Sequence, residues 1–176
     1  MENASKALIM AASVLLGVML MSIGVALFTT FSDFSSDAAK KMQEKQISEW
    51  NNTYLKYDGT IFNEDTGKPE PIKVTAHDIV SVINSARQNN LYYFEEPKNF
   101  PTSPNENYYY VRVIVNNANN VNNAIKAETW ADDEKLKFIK NNSLDTNNNP
   151  IYFKCTDVKV SSVTKRVYSI TFSMIK

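Results

Sequence analysis

Between Ala7 and Ser32 the chain carries no charged side chain, and from Ala7 to Phe28 it is almost continuously apolar. Nothing else in the sequence restricts the fold as strongly. About 22 residues at about 1.5 Å each make a helix of about 33 Å, against a bilayer hydrocarbon core of about 30 Å. Lipid offers no partner to open backbone groups, so such a stretch crosses it as a helix. Two alternatives compete. A cleaved signal peptide has a shorter apolar region, about 7 to 15 residues, closed by a small-x-small site. This run is longer, and no clean Ala-x-Ala comes after it. A buried core helix is seldom apolar on every side over this length. The expectation is a retained, single-pass transmembrane anchor whose first partner is the lipid bilayer.

Within the apolar run, Ser13 and Gly17 form a small-xxx-small pair, and Gly24 falls one heptad beyond Gly17. All three lie near one helix face, where a second helix can approach closely, so they are candidate helix-packing residues. Phe28, Phe31 and Phe34 sit where aromatic rings mark the lipid–water boundary. Beyond them, Asp37 to Trp50 has no glycine or proline and is rich in helix formers. Phe31, Phe34, Ala38 and Met42 continue an apolar stripe at helical spacing. One long helix from about Ser5 to Trp50 is expected, with a break at Asp33 or at Ser35-Ser36 as the alternative. Residues 1–50 thus form an anchor with an amphipathic extension, and 51–176 a soluble domain. Orientation has arguments on both sides. Lys40, Lys41 and Lys45 outnumber Lys6 and the terminal amine, which points the domain inward. Signal anchors export the chain on their C-terminal side, and on that ground the C-terminal domain is placed outside the cell.

The domain reads as strands with two helices. Tyr54 to Phe62 is a short strand candidate. Thr75, with Asp78 three residues on, starts a helix over 76–89 whose apolar face is Ile79, Val80, Val82, Ile83 and Ala86. Leu91 to Phe94 and Tyr108 to Val115 have strand composition, with a proline-bearing loop from Pro97 to Asn107 between them. A second helix is expected over 131–141, its acidic residues Asp132, Asp133 and Glu134 first and Lys137 and Lys140 last, as the helix dipole favours. Two strands close the chain, Ile151 to Ser161 and Arg166 to Ile175. In the last, Tyr168, Ile170, Phe172 and Met174 alternate with Ser169, Thr171 and Ser173, which implies a sheet with one buried face. Asparagine clusters at 116–123 and 147–149 read as loops. The fold class is α+β: a long N-terminal transmembrane helix, then a small domain with an antiparallel sheet and two helices.

Composition removes several function classes. Lysine plus arginine equals aspartate plus glutamate at 19 each, so no global field gathers nucleic acid. The chain has one histidine, His77, and one cysteine, Cys155. A zinc site from one chain needs more such ligands, and a nucleophile–base pair has only His77 to build on. Asp65-Thr66-Gly67 spells the aspartic-protease triplet, but it lacks a second copy and apolar leading strands, and reads as a turn. Asp145, Asn147 and Asn149 have the spacing that opens a calcium loop, yet Pro150 and Thr156 stand where glycine and glutamate are needed. No catalytic residue, metal site or small-molecule cofactor is assigned, and the chain is read as non-enzymatic. Tyrosines on or beside strands, with Tyr92, Tyr93 and Tyr109 foremost, are candidates for stacking on a sugar or gripping a partner protein.

The layout of Ala7 to Phe28, Asp37 to Trp50 and Tyr152 to Ile175 resembles that of type IV pilins and pseudopilins. In that superfamily a helix greasy in its first half and amphipathic in its second precedes an α+β head with a C-terminal antiparallel sheet. The resemblance implies a structural subunit that is stored in the membrane and bundles its helices into a surface filament or secretion-type complex, with Ser13, Gly17 and Gly24 as packing surface. The prepilin glycine with its glutamate at the fifth mature position is not present, nor is the pair of C-terminal cysteines. Self-association or association with related anchored subunits is the expected partnership. The alternative is a single-pass anchored recognition module whose soluble domain binds a glycan or protein.

Overall fold

The computed structural model describes residues 2–102, 109–119, 124 and 126–175. The chain divides into two compact units, Met1–Gln46 and Ile47–Lys176.

The described residues of the first unit, 2–46, are all helical. They belong to α1 (Glu2–Leu55), which runs without interruption at Asp33 or at Ser35-Ser36. An 18-residue window in α1 reaches a mean hydropathy of 2.4 and is 0% buried. By length and composition this helix can cross a membrane. Ser13, Ser22, Thr29 and Thr30 do not interrupt it, because each hydroxyl donates to a carbonyl three or four residues earlier.

The second unit takes in the last turns of α1. Trp50 and Tyr54, one turn apart, have ring centroids 5.1 Å apart, and Tyr54 is fully buried. The strand expected from Tyr54 therefore starts later. Its first residues are helical because their aromatic face has a core to pack on, and Gly59, at φ 120°, lets the chain turn away. A hairpin comes next, β1 (Thr60–Asn63) antiparallel to β2 (Lys68–Pro71). Asp65-Thr66-Gly67 forms its turn: Asp65 N–H donates to Asn63 Oδ1 at 2.9 Å, and Gly67 takes φ 64°.

Helix α2 (Ala76–Phe94) begins where the sequence indicates. Asp78 N–H donates to Thr75 Oγ1 at 3.2 Å, and Thr75 N–H donates back to Asp78 Oδ2 at 3.0 Å. Ile79, Val82, Ile83 and Ala86 are buried, as their spacing requires, whereas Val80 is half-buried. The strand expected over Leu91–Phe94 is instead the last turn of this helix. No glycine or proline intervenes to stop it, and it ends only at Glu95, whose φ of 63° is left-handed. A 3-10 turn, Pro97–Asn99, lies in the described part of the expected loop, and residues 103–107 of that loop fall outside the described residues. The strand expected from Tyr108 begins at Arg112 as β3 (Arg112–Asn116), and Tyr108 itself falls outside the described residues. Helix α3 (Asp132–Asn142) buries Lys135, Phe138 and Asn142. Strands β4 (Phe153–Val160) and β5 (Val167–Met174) close the chain.

The main sheet has the order β3-β5-β4. The pairing of β4 with β5 is antiparallel, as expected, but β3 joins β5 in parallel, so the sheet is mixed. Parallel pairing requires a long crossover, here the chain through α3 and β4. The central position of β5 also corrects the one-faced expectation. Ile170 and Phe172 are buried on one face, and Ser169 and Thr171 on the other. Arg112, in register with Ser169, is itself buried and reaches the carbonyls of Pro101 and Thr102 at 3.0 and 3.2 Å, so chain covers that face as well.

Asparagine does more here than make turns. Asn90 donates to Val111 O and accepts from Val111 N–H, both at 2.8 Å. Asn51 donates to Lys165 O and accepts from Val167 N–H, again both at 2.8 Å. Asn142 accepts from Asn119 N–H at 2.7 Å and donates to Asn119 O at 3.3 Å. In each case a side-chain amide stands in for a strand, with one donor and one acceptor on a short stretch of backbone.

Candidate functional site

Two surfaces hold the residues singled out in the sequence. On α1, side chains built on Gly17 or Gly24 would meet nothing within 4 Å. Ser13 Oγ turns back to Met10 O at 2.8 Å. Phe28, Phe31 and Phe34 are all exposed. Every described side chain from 2 to 46 is exposed, so this helix presents an apolar surface with no cover of its own.

The second surface lies on the folded domain. Tyr92 and Tyr93 come from the last turn of α2, Tyr109 from the approach to β3. The three are adjacent. The rings of Tyr93 and Tyr109 stack, with centroids 4.9 Å apart and planes 13° from parallel, and Tyr92 meets Tyr93 edge-on at 5.0 Å. Exposure is 81% for Tyr92, 42% for Tyr93 and 45% for Tyr109, far more than a core ring would keep. Tyr110 faces the other way and is buried.

Sequence reading missed the residue that completes this patch. Arg166, at the turn into β5, lies with its guanidinium carbon 4.3 Å from the Trp50 ring centroid and 5.1 Å from that of Tyr109. Its terminal nitrogens donate to Tyr93 Oη and Asn89 Oδ1, each at 3.3 Å. None of the ion pairs among the described residues involves it. The two hydrogen bonds of Asn51 to the residues on either side fix the backbone of Arg166. No local signal in the sequence could have joined it to tyrosines more than fifty positions away.

Beneath the sheet edge lies a buried polar cluster that belongs to the fold. Glu128 is fully buried and accepts from Val113 N–H at 2.8 Å and from the Tyr110 hydroxyl. Arg112 Nε stands 3.4 Å from Glu128 Oε1, within ion-pair range but out of hydrogen-bond alignment. Burial pushes the Glu128 carboxyl above its ordinary range against the pull of its hydrogen bonds and Arg112. Burial, and then the Glu128 charge, push the Tyr110 hydroxyl up as well. With Asn90 on Val111 and Ala124 bridging Val115, Glu128 closes the outer edge of β3.

The residues weighed for catalysis and metal binding are dispersed. His77 is exposed in the first turn of α2. Burial, with Asp58 next, raises the half-buried Cys155 thiol to about 11, so it stays protonated at neutral pH. Asp145 spends one oxygen on the N–H groups of Asn147 and Asn149, both at 2.8 Å. Those bonds, that of Asn149 first, hold its carboxyl below the usual range. Among the described residues no group of three or more His, Cys, Asp or Glu side chains gathers. Comparison of the chain with protein-family models, with curated proteins and with solved structures finds no match.

Proposed function

We propose that this chain is a non-enzymatic, membrane-anchored structural subunit, pilin-like, that assembles through its N-terminal helix into a surface filament or a secretion-type complex. One observation carries the reading. Residues 2–46 form a helix with every described side chain exposed, and its most apolar window, at mean hydropathy 2.4, is 0% buried. Apolar surface held in water costs about 25 cal/mol per Å². A helix like this is stable where lipid or neighbouring helices cover it, and its small-residue face at Ser13, Gly17 and Gly24 leaves room for a neighbour. The test is fractionation: the chain should stay with membranes through an alkaline wash and leave only with detergent. Recovery in the soluble fraction would sink the proposal. Electron microscopy of detergent-free preparations then looks for filaments. Protease treatment of intact cells should digest the C-terminal domain, which the proposal puts outside.

A specific observation favours a second reading, an anchored recognition module. Tyr92, Tyr93 and Tyr109, drawn from two separate elements, form one exposed cluster beside Arg166. Rings that serve only the core would be buried with it. Replacing Tyr92, which contributes little packing, should abolish ligand capture and leave the fold intact.

A further inference from the structure

We infer that the patch of Tyr92, Tyr93, Tyr109 and Arg166 is a binding site for an acidic saccharide, a hexuronate unit of a glycan. The inference rests on the recognition reading and names its ligand class. Three features of the patch decide the chemistry. The first is a guanidinium that has no carboxylate partner among the described residues and is already oriented, by the Trp50 and Tyr109 rings and by its bonds to Tyr93 Oη and Asn89 Oδ1. Its remaining N–H groups form a planar fork of the kind that meets a carboxylate with two parallel bonds. The second feature is exposed ring surface: Tyr92, at 81% exposure, meets edge-on the Tyr93 ring whose hydroxyl accepts from Arg166. A tyrosine face accepts the flat C–H face of a pyranose, with the phenol hydroxyl at hand for sugar hydroxyls.

The third feature separates a sugar from an acidic peptide. Peptides that dock on a sheet edge draw affinity from main-chain hydrogen bonds. Here three of those groups are taken. Asn89 Nδ2 donates to Tyr109 O at 2.6 Å, and Asn90 holds both Val111 O and Val111 N–H at 2.8 Å. The side chains of the patch offer stacking surface, hydroxyls and a cation. A ligand with a ring face, hydroxyls and a carboxylate on one unit matches that set, whereas an extended peptide finds Tyr109 O and both backbone groups of Val111 already bonded.

The test uses the full chain in detergent micelles, titrated calorimetrically with trigalacturonate, with its methyl ester and with hexaglutamate. Trigalacturonate should bind, and the uncharged ester should bind about tenfold more weakly or worse. Tyr92→Ala and Arg166→Gln should each weaken trigalacturonate by about tenfold or more, with Arg166→Lys between wild type and Arg166→Gln because it keeps the charge and loses the fork. Tyr92→Ala guards against misfolding, since its ring is solvent-exposed and its melting temperature should match wild type. Equal binding of ester and acid overturns the role of Arg166 and the proposal with it. Hexaglutamate binding that depends on Tyr92 and Arg166, without trigalacturonate binding, overturns the saccharide and leaves the recognition reading standing. No binding by any probe overturns the saccharide inference.

Discussion

Helix α1 treats its large side chains in opposite ways along its length. Leu16, Val18 and Ile23 lie exposed on it, whereas Tyr54, in its last turn, is sealed from solvent. The same backbone and the same hydrogen-bond ladder serve both stretches, so secondary structure does not explain the difference. What differs is the partner. Tyr54 is packed by its own chain, in a core that includes Val74, Ile83, Val113 and Phe172. The first unit has only a helix, and a lone helix cannot bury its own side chains. On the proposed reading, lipid or neighbouring helices supply the cover that this stretch lacks.

The sharpest way to break this contrast is to make the same kind of change in both units. Phe172→Ala removes a fully buried ring that meets Tyr57 edge-on at 6.0 Å. It should cost about 3–5 kcal/mol in urea unfolding of the detergent-solubilised chain. Leu16→Ala should leave that unfolding midpoint where it is. Equal losses would mean that the two units form one cooperative core.

Glu128→Ala is next in size. It leaves Val113 N–H, the Tyr110 hydroxyl and Arg112 without their shared acceptor, at an expected cost of about 2–4 kcal/mol. Glu128 also carries a pH signature. Its carboxyl holds its proton more tightly folded than unfolded, chiefly because it is buried. Its stabilising contribution is therefore fully present below the unfolded carboxyl range and is lost as pH rises through the folded value. Wild-type stability should fall with pH across that interval relative to Glu128→Gln, read as the difference between their urea midpoints. A difference that grows with pH would contradict the cause assigned to the shift.

A smaller effect is expected on the open helix. Gly17→Leu fills a face where nothing lies within 4 Å in the isolated chain. It should weaken helix–helix association by about 1–2 kcal/mol, measured by energy transfer between labelled chains in vesicles. The melting of the folded domain should not change. Association that survives the leucine would remove this face from the assembly. The smallest change is Thr75→Ala, which deletes one half of the α2 capping box and should lower stability by about 1 kcal/mol in thermal unfolding.

The parts of the domain that the sequence makes legible depend on neighbours within one or two turns. Thr75 with Asp78, and Ile79, Val82, Ile83 and Ala86 behind them, locate the start and the inner face of α2. The charge order of α3 and the antiparallel pairing of the last two strands are equally local. The end of α2 misleads because Leu91, Tyr92, Tyr93 and Phe94 favour strands by composition, while a helix already under way needs only the absence of a breaker. The same limit applies to the tyrosine patch. Composition names Tyr92, Tyr93 and Tyr109, but their adjacency comes from packing α2 beside the approach to β3. Arg166 enters from the far end of the chain. Asparagines 51, 90 and 142 show the limit most plainly, since the residue type that signals a turn also mimics a missing strand when it is set against open backbone.

Taken alone, the sequence decides that a charge-free apolar helix leads the chain and that an α+β domain comes after it, because charge, hydropathy and capping act over a few residues. Tertiary structure alone decides that β3 runs parallel to β5, that both faces of β5 are covered, and that Arg166 stands beside Tyr93 and Tyr109. Those outcomes depend on which distant segments come together, and that is set by competition among whole-chain packings for the same buried surface, which no short window of residues records.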